Sequence, residues 1–214
     1  MTLGERLSDL YTGIIHDVLR ERGLGNQVLP SDIRPVSDGQ HAAGIAFTAV
    51  GRLDDTLTAD ESLLAWTELL SAAPDGSVVV LAANDSWYAH MGELSAETLA
   101  SRGVRAFVTD GGTRDVRFIR ELGFPVWCRY ATPADIVGRW TVAGMEERVT
   151  IGTAQIEPGD LVLGDDDGVA IIPGAVAEEV IASAEELVTT EDSVREAIRA
   201  GMSPRDAYLK YRKF

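Results

Sequence analysis

The chain has 214 residues, 45% of them hydrophobic, which suits a globular protein of one large domain or two small ones. Its formal net charge is −15, so long-range electrostatics disfavour nucleic acid and anionic membranes as partners. The single cysteine excludes an internal disulfide and a multi-cysteine zinc site, and no apolar run approaches the roughly 18 residues of a membrane-spanning helix. The first residues include acidic groups and no basic start before an apolar block, so we expect no secretion signal and a cytoplasmic location.

The N-terminal part of the chain predicts one helix followed by a strand of small residues. Apolar side chains recur at helical spacing from Leu3 to Arg22, and glycines follow the last of them. Within this helix, His16 and Asp17 are open to two interpretations, a structural pair or metal ligands, and an isolated histidine favours the first. The run HAAGIAFTAV at 41–50 predicts a strand, in which Gly44 indicates a close approach by another backbone.

Two strand–helix units follow in the middle of the chain. After a helix at 63–70, the run SVVVLA at 77–82 predicts a buried strand. A loop then extends to Met91, and the sequence Gly-Glu-Leu-Ser at 92–95 begins the next helix.

The second unit is the stretch around which we expect the site to form. The run AFVT at 106–109 predicts a short buried strand, and Thr113 is a plausible cap for a helix that ends at Gly123. This arrangement predicts that Arg114 and Asp115 lie in the first turn of that helix, just beyond the carboxyl end of a strand. Ligands bind at such positions in open α/β sheets.

The later part of the chain predicts hairpins. The runs 148–151 and 154–156 flank a Gly-Thr turn, and the runs 161–164 and 169–172 flank an acidic turn at 165–167. Three consecutive aspartates are also compatible with calcium, but the spacing of an EF-hand is absent, which favours a solvated turn.

A long amphipathic helix is predicted at 175–200, with a possible break near Thr189, and a short helix follows Ser203. Cys128 lies in a strand-like run and is expected to pack in the core. Strands alternate with helices in the middle and form hairpins later, without a repeat or linker. We therefore predict an α/β fold with mixed sheets, a single domain spanning 1–214 with a C-terminal helical arm at about 175–214.

Two helix starts follow two strand ends, which consecutive strand–helix units place side by side. Free N–H groups at the 92–95 turn can accept a carboxylate or an enolate oxygen, and Arg114 can bind the same anion through two hydrogen bonds. Asp115 can carry a hard cation, and Glu93 is close enough to position a water. The alternative is a surface Arg–Asp pair on a capped helix, which would have no chemical role.

At these residues the sequence resembles the RraA-like family, which includes class II pyruvate aldolases of the 4-hydroxy-4-methyl-2-oxoglutarate type and regulators of ribonuclease E activity. The resemblance covers nearly the whole chain. It rests on four pieces: AGIAFTAV, Glu93 followed after twenty residues by Arg114 and Asp115, GFPVWCRYATPADIVGRW, and PGDLVLGDDDGVAIIP.

The resemblance implies a swivelling αββα sandwich that assembles as a homotrimer or hexamer with sites between subunits. It implies that Arg114 binds the pyruvate moiety, that Asp115 holds Mg²⁺ or Mn²⁺ partly through water, and that Glu93 holds a water for proton transfer. Backbone amides of Gly92, Glu93, Leu94 and Ser95 would stabilise oxygen charge. A glutamate from the C-terminal helix of a neighbouring subunit would reach the metal's water shell; Glu191 is the candidate by spacing, and Glu186 is its rival.

The function that the resemblance implies is a divalent-metal-dependent, pyruvate-forming lyase. It would cleave 4-hydroxy-2-oxo acids by a retro-aldol reaction and decarboxylate oxaloacetate through the same metal-stabilised enolate. A Schiff-base lysine is not needed, and the only lysines, Lys210 and Lys213, lie near the C-terminus. The alternative is a non-catalytic protein that binds and regulates an RNA-degrading enzyme, for which the acidic charge is suitable.

Overall fold

The computed structural model describes residues 3–213, within which the chain forms seven α-helices and a short 3-10 helix at Gly174–Val176. The helices are α1 (Leu3–Leu7), α2 (Thr12–Glu21), α3 (Ala59–Ala72), α4 (Glu93–Ser101), α5 (Val116–Leu122), α6 (Ala177–Arg199) and α7 (Pro204–Tyr211).

The same residues contain thirteen strands, several of them very short. They are β1 (Arg34–Pro35), β2 (Ala42–Leu53), β3 (Ser77–Ala82), β4 (Ala89–Met91), β5 (Ala106–Thr109), β6 (Gly112–Thr113), β7 (Val126–Cys128), β8 (Tyr130–Ala131), β9 (Trp140–Met145), β10 (Val149–Ile151), β11 (Ala154–Ile156), β12 (Leu161–Gly164) and β13 (Val169–Ile172).

A mixed sheet of eight strands forms the centre of the fold. Its order is β1-β7-β5-β3-β2-β12-β13, and β9 pairs with the far end of the long strand β2. The strands β2, β3, β5 and β7 are mutually parallel where they pair, whereas β1, β9, β12 and β13 pair in antiparallel fashion. The expected close approach at Gly44 is present, because a Cβ atom there would lie 2.7 Å from the carbonyl oxygen of Gly76.

Both faces of this sheet are buried, which explains why its inner strands are continuously apolar. Leu81 and Phe107 belong to a core cluster on the face covered by α3, α4 and α5, whereas Val80 and Val108 belong to a second cluster with the β10–β11 hairpin. A third cluster joins α1, α2 and α6 to β12 and β13. The predicted α/β fold with mixed sheets and a long C-terminal helix is confirmed; residues 1, 2 and 214 of the predicted domain lie outside the described residues.

A separate ribbon of three short parallel strands lies beyond the carboxyl ends of β3 and β5. Its order is β4-β6-β8, so each of its strands belongs to the loop that follows a strand of the central sheet. The sequence predicts only a loop at residues 83–91, but Ala89–Met91 pairs with Gly112–Thr113 there. This ribbon positions the candidate site.

The predicted single helix from Leu3 to Arg22 is wrong, because the chain forms two helices. Tyr11 is extended, and the Asp165 carboxylate accepts hydrogen bonds from both the backbone N–H and the hydroxyl of Thr12, each at 2.8 Å. The carboxylate therefore satisfies an N-terminal donor of α2 and stabilises the break. Asp165 of the acidic turn thus caps a helix, whereas the sequence favours a solvated turn.

Other local expectations have clear outcomes. Both predicted hairpins are present, and Cys128 is buried in the core. The long helix α6 continues through Thr189, whose hydroxyl donates to the carbonyl of Glu185 in the preceding turn. Asp17 forms ion pairs with Arg20 and Lys213, and these contacts agree with the structural interpretation of Asp17. No helix within residues 3–213 is long and apolar enough to cross a membrane.

Candidate functional site

Three loops converge where the short ribbon ends. Gly92 and Glu93 follow β4, Arg114 and Asp115 follow β6, and Asp135 follows β8, where it makes a parallel bridge to Ala89. The side chains therefore meet because their strands pair, although the residues are far apart in the sequence.

The local structure at Arg114 and Asp115 differs from the prediction. Thr113 belongs to β6, its hydroxyl donates to the carbonyl of Met91, and the Arg114 N–H continues the pairing with the same carbonyl at 2.8 Å. Asp115 is the N-cap residue with a left-handed backbone (φ 56°, ψ 31°), and α5 begins only at Val116. Both residues therefore precede the helix, and the predicted cap at Thr113 is wrong because pairing with β4 takes precedence.

The Asp115 carboxylate makes no hydrogen bond to its own helix. Its Oδ2 atom instead accepts the N–H of Glu93 at 3.1 Å, at the start of α4. Gly92 makes this approach possible, because a Cβ atom there would lie only 2.8 Å from the same oxygen and 3.2 Å from Nε of Arg114. One amide of the 92–95 turn is therefore used by Asp115, while the first-turn N–H groups of Leu94 and Ser95 have no acceptor within the helix.

Arg114 lies between two carboxylates. Its Nη1 atom donates to Oδ2 of Asp135 at 2.9 Å, and its Nε atom lies 3.6 Å from Oδ2 of Asp115. The three side chains are 37–42% exposed, so the pairs orient the guanidinium more than they stabilise the fold. Sequence reasoning does not identify Asp135, because nothing in the motif at 123–140 signals a contact between this residue and Arg114.

A cavity of about 380 Å³ opens beside these residues. Gly92, Glu93, Arg114, Asp115 and Asp135 line one part of it, and side chains of α3 and α4 line another. The structure therefore brings together the residues of the predicted catalytic and substrate-binding set, including Leu94 and Ser95. Ser95 has a further contact, because its hydroxyl oxygen accepts the indole N–H of Trp66 at 2.9 Å.

A buried histidine–aspartate pair lies next to the site, and its histidine, His90, also lines the cavity. Nε2 of His90 is 2.6 Å from Oδ2 of Asp85, and both side chains are completely buried. Burial alone would raise the pKa of Asp85, but the contact with His90 and the backbone N–H groups of Trp87 and Tyr88 outweigh it and hold this pKa below its ordinary value. The sequence predicts a loop at both residues and indicates no role for either.

The C-terminal glutamates lie elsewhere in the same chain. Glu191 accepts a hydrogen bond from the Tyr11 hydroxyl and lies 3.4 Å from Nζ of Lys213, and it does not line the cavity. Glu186 is not among the lining residues either. A role for either glutamate in a neighbouring subunit stays a prediction.

The carboxylates of the site suit a hard cation that binds through few protein oxygens and keeps several of its waters. Residues 3–213 contain no group of three or more His, Cys, Asp or Glu side chains that could together hold a metal ion. Asp115 fits a different kind of site: Oδ2 is held by the Glu93 amide, the side chain is 37% exposed, and Glu93 and Asp135 add negative charge nearby. Mg²⁺ commonly binds through one or two carboxylates and keeps several waters, and Mn²⁺ accepts the same oxygen ligands.

Comparisons with known proteins show which sequences and folds this chain is similar to. The chain is 29% identical over 188 residues to a Halalkalibacterium halodurans protein named "Putative 4-hydroxy-4-methyl-2-oxoglutarate aldolase". The alignment covers 88% of this chain and 85% of that protein. The crystal structure of an uncharacterized protein from Pseudomonas syringae superposes with a TM-score of 0.89 at 25% identity, covering 98% of this chain and 93% of that one.

The structure of Streptomyces coelicolor RraAS2, described as an unusual member of the RNase ES inhibitor RraA protein family, superposes with a TM-score of 0.83 at 26% identity. It covers 91% of this chain and 96% of that one. The model of the RraA-like family, described as Aldolase/RraA, matches residues 12–171, which include both strand–helix units and the acidic turn. The chain therefore belongs to the RraA-like family.

Proposed function

We propose that this protein is a divalent-metal-dependent lyase that forms pyruvate by cleaving carbon–carbon bonds. The observation that carries the proposal is the position of Arg114, held between Asp115 and Asp135 beside a cavity and next to the free N–H groups at the start of α4. A guanidinium, a carboxylate available to a cation and helix-start amides are the groups that a 2-oxo acid and its enolate require. The similarity to a protein named as an aldolase supports the same chemistry.

In the retro-aldol reaction, the guanidinium of Arg114 binds the carboxylate of a 4-hydroxy-2-oxo acid and orients it towards Asp115. A divalent cation on Asp115 would supply Lewis-acid polarisation of the 2-oxo group. A water positioned by Glu93 and Arg114 takes the proton of the C4 hydroxyl, and the electron pair left on that oxygen forms the carbonyl of the released aldehyde or ketone. The C3–C4 bond breaks in the same step, and its electron pair forms the enolate. The N–H groups of Leu94 and Ser95 stabilise the oxygen charge, and C3 then takes a proton to give pyruvate.

The same enolate forms when oxaloacetate loses carbon dioxide through cleavage of its C3–C4 bond. Oxaloacetate therefore provides a simple assay, in which pyruvate release is measured with Mg²⁺ or Mn²⁺ and again with a chelator. We expect metal-dependent turnover that falls at least about 100-fold in Arg114→Ala and in Asp115→Ala.

Arg117→Ala is the matched control for these variants. Arg117 also forms an ion pair with a carboxylate, Glu121, but it is 79% exposed on α5 and does not line the cavity. Its activity should equal that of the unmodified protein. Turnover no greater than that of the metal alone, in folded and correctly assembled protein, would overturn the proposal.

We propose further that the protein assembles as a homotrimer or hexamer in the cytoplasm. Several large apolar side chains are exposed on the isolated chain, which supports burial against other subunits; they include Ile45, Leu53, Trp87 and Phe118. Light scattering coupled to size-exclusion chromatography measures the subunit number directly. A monomer at micromolar concentration would contradict this assembly and the intersubunit role of Glu191.

The second candidate function is regulation of an RNA-degrading enzyme by direct binding. The similarity to RraAS2 favours it, and the net charge of −15 suits a basic partner surface. The two functions separate in an Arg114→Ala/Asp115→Ala double variant, which should lose lyase turnover but retain partner binding. A partner-binding protein without turnover would favour the regulator.

A further inference from the structure

One side of the cavity is an apolar wall, which we define as Leu63, Trp66, Thr67 and Leu70 of α3 with Leu94 and Thr98 of α4. The cavity volume of about 380 Å³ falls in the ~300–1,000 Å³ range of pockets for drug-sized ligands, which exceeds the need of pyruvate alone. The wall is therefore available to the part of a substrate that extends beyond the pyruvate moiety.

The polar side-chain groups of the apolar wall are already used within the protein. The indole N–H of Trp66 donates to the Ser95 hydroxyl at 2.9 Å. The hydroxyls of Thr67 and Thr98 donate to the carbonyls of the preceding helical turn, at 2.9 Å and 2.7 Å. These three side chains consequently present hydrocarbon to the cavity and offer no hydrogen-bond donor to a carboxylate.

The charges around the cavity also disfavour a second anionic group. Arg114 is the only arginine or lysine among the described residues that line it, whereas Glu93, Asp115 and Asp135 are acidic. In the proposed function, Arg114 binds the carboxylate of the 2-oxo acid. A second carboxylate against the apolar wall would lose its hydration without gaining a cation from this chain, next to groups of the same charge.

Two leucines of the apolar wall expose hydrocarbon to water, so an apolar group that covered them would bind favourably. Leu63 is 44% exposed and Leu94 is 76% exposed in the isolated chain. An apolar substituent placed over them would remove hydrocarbon from water on both sides of the contact.

We infer that the substrate is a 4-hydroxy-2-oxo acid whose substituent at C4 is uncharged and apolar, so that the second product is an apolar aldehyde or ketone. This inference rests on the proposed function and specifies its substrate class. The inference excludes a preference for substrates that carry a second carboxylate on the C4 side.

The test compares two substrates of equal chain length, 4-hydroxy-2-oxoheptanoate and 4-hydroxy-2-oxoheptanedioate. Both release pyruvate, together with butanal from the first and succinic semialdehyde from the second. We expect kcat/KM to be at least about tenfold higher for the monoacid. Equal values, or a higher value for the diacid, would overturn the inference.

A second measurement separates this inference from the proposed function. Exchange of the pyruvate methyl protons in D₂O requires only formation of the enolate and does not involve the apolar wall. Exchange together with a preference for the diacid would refute the substrate class while supporting the lyase. No exchange and no cleavage of either acid would overturn both.

A pair of neighbouring leucines provides matched variants. Leu63→Arg adds a cation to the apolar wall and should shift the kcat/KM ratio at least about tenfold towards the diacid. Leu64→Arg adds the same cation one residue away, at a side chain that is 68% exposed and does not line the cavity, and should leave the ratio unchanged. Because both leucines are partly exposed, folding of both variants can be verified by circular dichroism. An unchanged ratio in folded Leu63→Arg would contradict the proposed position of the substituent.

Discussion

The substitution Gly92→Ala tests the site geometry with a single methyl group. The backbone of Gly92 (φ −142°, ψ −178°) is extended and accessible to alanine, so the substitution introduces no backbone strain. The added Cβ would lie 2.8 Å from Oδ2 of Asp115, whereas ordinary contact begins at 3.4 Å, so the carboxylate must move by about 0.6 Å (3.4 − 2.8). The Nε and Cγ atoms of Arg114, at 3.2 Å and 3.3 Å, must also move slightly.

A misplacement of ~1 Å can reduce a rate about 100-fold, so a shift of about 0.6 Å should lower kcat/KM for oxaloacetate about tenfold, which is ~1.4 kcal/mol of transition-state stabilisation. Loss of glycine at the N-cap position of α4 should reduce the free energy of unfolding by no more than ~1 kcal/mol. Steady-state kinetics and urea unfolding measure the two effects separately.

Gly4→Ala is the control for this experiment, because a Cβ atom at Gly4 meets nothing within 4 Å. It should leave kinetics unchanged and stabilise α1 slightly, since alanine favours the helix. Gly92→Ala with kinetics equal to those of the unmodified protein would refute the reasoning that Asp115 and Arg114 must occupy these positions.

Three further predictions concern buried groups. Gly111→Ala should lower the free energy of unfolding, measured by urea denaturation, by ~1–3 kcal/mol, because the added Cβ would lie 2.4 Å from Nδ1 of His90. A stability equal to that of Gly4→Ala would contradict this prediction. Asp85→Asn should destabilise the protein at neutral pH, because a carboxyl group whose pKa is lowered in the folded state stabilises that state at pH values above its unfolded pKa of ~3.9. The loss of unfolding free energy in the variant should shrink as the pH falls through the folded pKa of Asp85. A loss that does not depend on pH would count against this reasoning. Burial raises the pKa of Cys128 to about 11, so a disulfide reagent at pH 8 should label the native thiol at least ~100-fold more slowly than the unfolded one, and equal rates would disprove its burial.

The sequence predicted those features that depend on neighbouring residues. The β10–β11 and β12–β13 hairpins follow from short apolar runs separated by turn residues, and α4 begins at Glu93, as its sequence indicated. The convergence of the Gly92 turn with Arg114 and Asp115 also followed, because consecutive parallel strands end at the same edge.

The features that were missed depend on contacts between distant residues. The chain breaks before Thr12 because Asp165, 153 residues away, accepts its hydrogen bonds. Thr113 lies in a strand because its backbone segment pairs with that of Met91, 22 positions earlier in the chain. Asp135 likewise contacts Arg114 across 21 positions. Helical periodicity and capping rules describe only interactions within a few residues, so they cannot anticipate these pairings.

The short β4-β6-β8 ribbon has a consequence for the order in which the protein gains activity during folding. Each of its strands is only two or three residues long and pairs with a strand that follows a separate crossover. Such pairing closes long loops for few hydrogen bonds, so it cannot be stable until the central sheet has formed. The site should therefore be absent from any partly folded intermediate, and regain of turnover during refolding should report completion of the native state rather than formation of its secondary structure.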